Sequence, residues 1–362
     1  MTAAAPDARL LSTAIKTPPH RLSQTAVRDL CRDLFADSAP GLFERLAPVY
    51  LNAGVETRYA CAPIGWYRRP HGWAERAALF DRFALDLLED AAWAALDQAG
   101  LGAADVDQIV CVTTTGVSTP SLEARLAERM AFRADVRRTP LFGLGCAGGA
   151  LGLARAADLA RARPGETVLL LAVELCTLTF RPQVAAKETI VASALFGDAA
   201  GAAVIRAGDA QGGDAQGGGA QGAALGPAGE HRWPESLDVM GWEVADDGLG
   251  VIFSQAIPTL IDRDLPPALD GFLQRAGLAR ADIAHWLLHP GGAKVLAAYE
   301  RAFDLPSVAL AETRSVLRRM GNCSSVGVLA VLDRARADGA SGCSLIAALG
   351  PGFTAGFQLI DL

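Results

Sequence analysis

An internal duplication constrains the fold of this chain of 362 residues more than any other feature. The segment LDQAGLGAADVDQIVCVTTTG from Leu96 matches LQRAGLARADIAHWLLHPGG from Leu273, and the two copies begin 177 residues apart. Each copy predicts the end of a helix, a glycine break, an acidic turn and a buried strand that ends in a polar or glycine-rich loop. The duplication therefore predicts two fused α/β halves related by a pseudo-twofold axis.

The same offset relates two cysteines that precede apolar helices. Adding it to Cys146, in GLGCAGGALGLARAADLA, reaches Cys323, in GNCSSVGVLAVLDRA. A buried strand follows each helix, ETVLLLAVEL in the first half and SGCSLIAALG in the second. Strands that alternate with helices predict a layered αβαβα arrangement with helices on mixed or parallel sheets. We place the halves at residues 1–205 and 232–362, joined by a flexible Gly-rich loop over 206–231.

Composition excludes several classes of protein. A formal net charge of -7 with scattered basic residues argues against nucleic-acid binding. The seven cysteines form no CxxC pair, which predicts reduced thiols in a cytoplasmic protein and no metal site. The sequence has no apolar run of the ~18 residues that a membrane span requires.

Cys146 stands between glycines at the predicted start of a helix. A cysteine in this position is more often structural, but a buried structural cysteine needs no such clearance because it packs like any small apolar residue. A nucleophile does need it. The N-terminus of a helix stabilises a thiolate, so we expect Cys146 to be the one cysteine of the seven with a strongly lowered pKa.

The duplication also brings a histidine and an asparagine toward Cys146. His289 follows the strand of the motif LLHPGG, and Asn322 precedes the second apolar helix. Each residue alone is typical of a loop or a helix cap. Together with Cys146 they predict a catalytic site in which the imidazole accepts a proton. Both side chains can donate hydrogen bonds to a thioester oxygen that becomes an oxyanion or enolate, typically worth ~3 kcal/mol per donor.

The motifs GLGCAGG, ALFGDAAGAAV, HPGG, GNCSS and ALGPGF resemble those of the type III polyketide synthases, the chalcone-synthase-like branch of the thiolase fold. The resemblance implies a thiolase-like fold and a homodimer without a bound metal or organic cofactor. It also implies that the chain condenses an acyl-CoA starter with malonyl-CoA units. In such an enzyme Cys146 would be the nucleophile, while His289 and Asn322 would promote decarboxylation of malonyl-CoA and stabilise the enolate.

The resemblance places further residues around a reaction cavity. Phe196 would be the gate between the CoA tunnel and the cavity, and Val251 aligns with a second gate residue, with Phe253 close enough to take that role. Positions that line the cavity in relatives are Thr114, Cys176, Thr179 and Ser324. Thr119 would reach across the dimer interface, and the cavity wall would include Gly350, Pro351 and Gly352. Arg45 and Lys294 would contact the phosphates of CoA, although Lys294 alone could equally be a solvated surface lysine.

Two segments, TGVSTPSLEARL and DVMGWEVADDGL, resemble bacterial alkylpyrone and alkylresorcinol synthases. We therefore expect a medium or long fatty acyl starter and an alkylpyrone or alkylresorcinol product. One alternative is a synthase primed by malonyl-CoA or another small starter, of the pyrone, phloroglucinol or naphthalene type. Another is a ketoacyl-acyl-carrier-protein synthase III, against which the HPGG motif argues. A thiolase-fold scaffold without catalysis is a third.

Overall fold

A computed structural model describes residues 7–36, 38, 40–208 and 222–362. Within these residues the strands are β1 (Ala8–Lys16), β2 (His20–Ser23), β3 (Thr57–Ala60), β4 (Gln108–Thr113), β5 (Arg137–Phe142), β6 (Thr167–Leu175), β7 (Asp198–Ala207), β8 (Ala223–Arg232), β9 (Met240–Ala245), β10 (Gly248–Phe253), β11 (His285–Leu288), β12 (Cys343–Gly350) and β13 (Thr354–Asp361). The α-helices are α1 (Gln24–Phe35), α2 (Pro40–Leu46), α3 (Pro48–Asn52), α4 (Trp73–Gln98), α5 (Leu122–Met130), α6 (Gly148–Ala162), α7 (Lys187–Leu195), α8 (Ile257–Arg275), α9 (Ala293–Phe303), α10 (Ala311–Met320) and α11 (Ser324–Ala337).

The central sheet has nine strands in the order β11-β12-β13-β8-β1-β7-β6-β4-β5. On each side of the β8–β1 contact the strands mirror one another. The pairs β11–β12 and β4–β6 are parallel, and β12–β13 and β6–β7 are antiparallel. The predicted pseudo-twofold arrangement is thus confirmed, with β5 as an additional edge strand in the first half.

Matching details repeat at the predicted offset. Short 3-10 turns at Ala103–Asp105 and Arg280–Asp282 precede β4 and β11. In each turn the aspartate carboxylate accepts a backbone N–H at 2.8 Å, from Gly102 in one half and from Ala279 in the other. The acidic turn that the sequence predicts is therefore a local cap that stops the chain before a buried strand.

Alternating side chains divide the core into layers. In β6, Val168, Leu170 and Ala172 pack in the same core cluster as α6 and α11, whereas Leu169 and Leu171 pack on the other face with α4. The outer face of the second half packs against α8 and α9. Because side chains of a strand alternate between faces, each half-sheet contacts a central and an outer helix layer. This is the αβαβα arrangement that the sequence predicts.

The predicted flexible loop over 206–231 is wrong in its last part. Residues 209–221 lie outside the described residues, but Ala223–Arg232 forms β8 inside the central sheet, and β7 extends to Ala207. Hydrogen bonds to β13 and β1 hold this glycine-rich strand through its backbone, so few apolar side chains are needed. Pro227 lies where the β8–β13 register shifts, a position at which a missing N–H is tolerated.

All seven cysteines are free, in agreement with the prediction of reduced thiols. In the part of the chain that the structure describes, no helix combines the length and apolar character needed to cross a bilayer.

Candidate active site

Cys146 lies in the middle of a 3-10 turn, Gly145–Ala147, that leads into α6. Its side chain is half-buried. The hydroxyl of Thr114, at the end of β4, accepts a hydrogen bond from the Gly145 N–H at 2.9 Å and so fixes the start of the turn. Gly145 has a φ of +47°, and a Cβ there would lie 2.5 Å from the ring of Pro351. Glycine is thus required at this point by both conformation and packing.

The glycines after Cys146 have a structural cause that the sequence argument missed. A Cβ on Gly149 would lie 2.1 Å from the carbonyl oxygen of Ser325, and one on Gly148 would lie 2.7 Å from Val112. They therefore allow α6 to approach α11 and β4. The clearance around Cys146 follows from this close approach of the two central helices.

Asn322 is buried and lies between α10 and α11, directly beside Cys146. Its Oδ1 accepts the backbone N–H of Ser324 at 2.9 Å and lies 3.9 Å from the Cys146 Sγ. Its Nδ2 donates to the carbonyl of Gly291 at 3.4 Å, in the loop that follows His289. The structure therefore brings Cys146, Asn322 and the histidine loop together, as the duplication predicts.

His289 is buried directly after β11, and its backbone N–H donates to Ala347 at 2.9 Å. Neither ring nitrogen has a hydrogen-bonding partner among the described residues. A Cβ on Gly327 of α11 would lie 3.1 Å from Nδ1, so the ring packs directly on this glycine. Buried polar atoms normally find a partner, and an unpaired imidazole at this place is available to a substrate.

Glu174, at the end of β6, is a fully buried carboxylate that the sequence argument missed. It accepts hydrogen bonds from the Thr115 hydroxyl at 2.8 Å and the Thr114 N–H at 3.1 Å in the first half. From the second half, Ser325 donates at 2.7 Å and Ser324 at 3.4 Å. A lone acid at the end of the apolar run TVLLLAVEL was the signal that could have identified it.

Burial dominates the electrostatics of the site. It raises the pKa of the Cys146 thiol to about 12, against opposing hydrogen bonds from Ser324 and Asn322. It lowers the pKa of His289 to about 3 and raises that of Glu174 to about 7. The expected lowering of the Cys146 pKa is therefore wrong, because loss of hydration outweighs the helix N-terminus. Thiol and imidazole are both neutral at neutral pH.

A cavity of about 500 Å³ lies beyond Phe196, between α7, the β9–β10 hairpin and the segment after β6. Its wall includes four of the predicted residues, namely Cys176, Thr179, Phe196 and Val251, and also Phe253. The ring of Phe196 lies 5.8 Å from Phe253 and 5.8 Å from Trp242, centroid to centroid. Trp242 pairs with Val251 across the hairpin. Both gate candidates thus lie on one face of β10, and Trp242, which the alignment missed, packs against Phe196 beside them.

Comparisons with known proteins agree along nearly the whole chain. Residues 68–209 match the family model described as the N-terminal domain of chalcone and stilbene synthases, and residues 225–360 match that of the C-terminal domain. The chain belongs to the chalcone and stilbene synthase family. It is a type III polyketide synthase, an acyl-transferring enzyme.

Individual members of the family are similar over comparable lengths. The chain is 42% identical to a 1,3,6,8-tetrahydroxynaphthalene synthase of Streptomyces peucetius subsp. caesius over 95% of this chain and 90% of that protein. It is 34% identical to a putative chalcone synthase of Bacillus subtilis over 97% and 98% of the two chains. The crystal structure of the 1,3,6,8-tetrahydroxynaphthalene synthase of Streptomyces coelicolor superimposes with a TM-score of 0.90, at 28% identity, over 98% and 99% of the two chains.

Other residues that the family alignment singled out lie around the catalytic turn. Gly350 ends β12 and is followed by Pro351 and Gly352, and a Cβ on Gly350 would lie 2.7 Å from the Ala147 side chain. Gly352 donates its N–H to Met240 at 3.1 Å. This loop therefore supports the Cys146 turn and joins it to the gate hairpin.

The remaining three residues of the alignment are exposed. Thr119 precedes a cis proline in the loop after β4 and lies outside the cavity wall of its own chain. Arg45 is at the end of α2 and Lys294 is in the first turn of α9. A hydrogen bond of 3.1 Å from Ala293 to Ala53 holds the start of α9 against the turn after α3. The first turn of α9, which carries Lys294, is thus held beside the turn after α3.

Proposed function

We propose that this type III polyketide synthase is primed by malonyl-CoA or another small starter and forms a small aromatic polyketide without an alkyl tail. The near full-length similarity to two 1,3,6,8-tetrahydroxynaphthalene synthases carries this proposal. The naphthalene skeleton has ten carbons with oxygens at alternating positions, which fits a chain assembled from two-carbon units alone. The expectation of a long fatty acyl starter is not confirmed by these relatives.

Features of the gate and cavity support a small starter. Val251 lacks the ring of the second gate phenylalanine, but Trp242 and Phe253 flank Phe196 with aromatic rings. The cavity wall includes Thr189, while the hydroxyls of Thr177 and Thr179 in the same wall donate to Asp198 and to the Cys176 carbonyl. A poly-β-keto chain offers carbonyl oxygens to a donor such as Thr189, whereas an alkyl chain gains only from apolar contacts.

In this proposal Cys146 is the acyl-accepting nucleophile. Its thiol is neutral at rest, so it must lose a proton as the thioester carbonyl is attacked, and the unpaired neutral imidazole of His289 is the acceptor. The acyl group forms a bond to Sγ, the bond from carbonyl carbon to the CoA sulfur breaks, and CoA leaves with a proton.

His289 and Asn322 then act on bound malonyl-CoA. The imidazole and the Asn322 Nδ2 donate to the thioester oxygen while the malonyl group loses carbon dioxide. The resulting enolate attacks the acyl carbonyl carbon, the bond from that carbon to Sγ breaks, and Cys146 is released as the leaving group. Neutral donors suit a developing negative charge in a dry site, because they need not be reoriented as the charge appears. No metal or organic cofactor is required by these steps.

Two further parts of the proposal concern partners. Arg45 and Lys294 are proposed to contact the CoA phosphates at the tunnel mouth. A homodimer is proposed to place Thr119 of one subunit at the cavity of the other. Val117 and Phe142 are 61% and 59% exposed beside the edge strand β5, and an exposed apolar edge of this kind favours pairing with a second copy.

Product analysis after incubation with malonyl-CoA alone, and then with acetyl-CoA, hexanoyl-CoA or dodecanoyl-CoA added, tests the proposal. We expect malonyl-CoA alone to give a product with no alkyl tail, at a rate that the longer starters do not increase. A product that forms only when dodecanoyl-CoA is present would overturn the small starter in favour of the alkylpyrone or alkylresorcinol type.

The variant Trp242→Ala is the companion experiment. Removing this ring widens the gate, so kcat/KM for hexanoyl-CoA should rise relative to malonyl-CoA priming. Trp233→Ala is the matched control, because Trp233 packs on Phe353 whereas Trp242 packs on Phe196. An equal change in both variants would mean that Trp242 does not control the starter.

A further inference from the structure

Arg58 is a buried cation of β3 whose contacts are nearly all with one helix end. Its side chain is 2% exposed, and the described residues include no carboxylate that forms a salt bridge with it. Nη1 donates to the carbonyl oxygens of Ser193 and Phe196, the latter at 3.0 Å. Nη2 donates to the carbonyl of Ala194 at 3.0 Å and to the side chain of Gln24. A buried guanidinium without a counter-ion is costly unless such acceptors surround it.

The acceptors are the unsatisfied carbonyls at the C-terminus of α7. A helix leaves its last four carbonyls without intrahelical partners. Here Ala192 accepts the Phe196 N–H at 2.9 Å, and Leu195 accepts the Asn322 N–H at 2.8 Å. Ser193 accepts from Arg58, and Ala194 accepts from both Arg58 and the Gln24 Nε2, each at 3.0 Å. The negative end of the helix dipole also favours a cation at this point.

The same helix end holds Asn322 and the gate. Gly197 donates its N–H to the Asn322 carbonyl at 3.0 Å, so the backbone of residues 195–197 pairs with Asn322 on both sides. A Cβ on Gly321 would lie 2.6 Å from the Leu195 carbonyl oxygen, so the two backbones are in close contact here. A shift of the end of α7 must therefore move the Asn322 backbone and the Phe196 ring together.

We propose that Arg58 is a positioning residue for malonyl-CoA decarboxylation, acting through the end of α7 on Asn322. This inference rests on the proposed function of Asn322. The planar guanidinium serves four acceptors from two nitrogens, whereas a lysine ammonium at the same place is a single point that cannot reach both pairs. The charge alone is not sufficient.

The test separates two partial reactions, acyl loading on Cys146 measured by intact mass and carbon dioxide release from malonyl-CoA. In Arg58→Lys we expect decarboxylation to fall by at least tenfold, while loading changes by less than threefold. Gln24→Leu removes one acceptor of Nη2 and the Nε2 donor to the Ala194 carbonyl, and it should also lower decarboxylation, by a smaller factor. This variant keeps the test available if Arg58→Lys does not fold. Equal losses in both partial reactions would overturn the inference.

Chemical rescue distinguishes a positioning role of Arg58 from a purely structural one, because only a positioning role predicts that an added cation restores decarboxylation. Arg58 contributes to the cavity wall, so a small cation can reach the space left in Arg58→Ala. Guanidinium at concentrations far below those that denature should restore decarboxylation, and urea at the same concentration should not. Absence of rescue in a folded Arg58→Ala variant that binds malonyl-CoA would contradict the proposed positioning role of Arg58.

Two controls separate failure of this inference from failure of the proposed function. Arg161 donates to the carbonyls of Leu225 and Gly226, away from the site, so Arg161→Ala should lower Tm without changing the ratio of the partial reactions. Asn322→Ala should lose decarboxylation. If Asn322→Ala decarboxylates normally, the proposed role of Asn322 is wrong. If only the Arg58 and Gln24 variants behave like wild type, the inference alone is wrong.

Discussion

Two turns related by the duplication, around Cys146 and around Cys323, occupy equivalent positions and have different environments. Cys146 is half-buried and lies 3.9 Å from Asn322. Cys323 is completely buried in the central core, and its thiol donates to the Met320 carbonyl at 3.4 Å. In the second half the residue that reaches the site is the one before the cysteine.

The strand ends before these turns differ in the same way. His289 corresponds by the offset to Val112, which is buried against Gly148 and Gly152 of α6. His289 packs instead on Gly327 of α11, with its ring nitrogens unpaired. The duplication therefore supplies a symmetric scaffold, and the chemistry is asymmetric because one half places a thiol and the other an imidazole and an amide at the shared centre.

The largest expected difference between the halves is in covalent loading. Cys146→Ala should reduce product formation by at least about 10³-fold, because no other group can carry the acyl chain. Cys323→Ala should retain activity and cost roughly 1 kcal/mol of stability through lost packing. Intact mass after incubation with an acyl-CoA, together with thermal unfolding, measures both. An acylated Cys146→Ala protein would reverse the comparison.

A second large difference concerns decarboxylation. His289→Gln should reduce carbon dioxide release from malonyl-CoA by about 10²-fold, the range for loss of one oxyanion donor. Val112→Ala, at the equivalent position, should lower Tm and leave the rate of release per folded molecule within a few-fold of wild type. Labelled malonyl-CoA gives the rates. If Val112→Ala lowers the rate of carbon dioxide release as much as His289→Gln does, then packing at the strand ends, and not the imidazole, controls decarboxylation.

The pH dependence of alkylation sharpens the contrast between the two cysteines. A thiol with a pKa of about 12 gains thiolate tenfold per pH unit, so iodoacetamide should modify Cys146 with a rate that rises steadily from pH 7 to 10. Cys323 is fully buried and should react only after unfolding. Peptide mapping over time measures each site. A plateau for Cys146 above pH 8 would show a lowered pKa in solution.

A smaller effect is expected from the glycine beneath the histidine ring. Gly327→Ala places a methyl group about 3.1 Å from Nδ1 and must displace the ring by a few tenths of an ångström. We expect decarboxylation to fall by up to tenfold while Tm stays close to wild type, because alanine favours the helix by roughly 1 kcal/mol. Gly271→Ala in α8 is the control, because a methyl group there would meet only the Arg275 side chain, at 3.6 Å. Wild-type decarboxylation in Gly327→Ala would mean that the ring tolerates displacement.

The smallest effect is on the pH dependence of stability. His289 has a lowered pKa of about 3 in the folded protein, so below pH 6.5 the unfolded chain binds a proton that the folded chain does not. Its contribution to stability is therefore lost as pH falls from 6.5 toward 3, by about 1.4 kcal/mol per pH unit at most. Glu174 has the opposite effect on stability. Its pKa is raised to about 7 in the folded protein, so between pH 7 and 4.5 the folded chain binds a proton that the unfolded chain does not, and stability rises as pH falls.

Comparing His289→Gln with wild type isolates the histidine contribution. Urea unfolding at pH 7.5 and pH 5.5 should show a smaller loss of stability in the variant. Identical losses in the two proteins would indicate that His289 is protonated in the folded state.

Much of the scaffold and the three central residues could be predicted from the sequence. The repeat beginning at Leu96 and Leu273 predicts the matching turns and strands, because helix caps and the alternation of apolar residues depend only on residues close together in the sequence. Cys146, His289 and Asn322 were found because one offset and the strand ends place them at a shared centre. The Gly-rich segment was misjudged, since its order in β8 comes from hydrogen bonds to distant strands.

The duplicated architecture and the residue types that meet at the centre follow from the order of the amino acids alone. Their charge states, the use of the glycines by α6 and α11, and the places of Glu174, Trp242 and Arg58 follow from the packed fold. These depend on burial and on partners far away in the chain, such as Ser325 for Glu174 and Asn322 for the end of α7. Hydration lost on packing shifts a pKa by an amount that no local pattern contains, and this is why the Cys146 thiol is neutral.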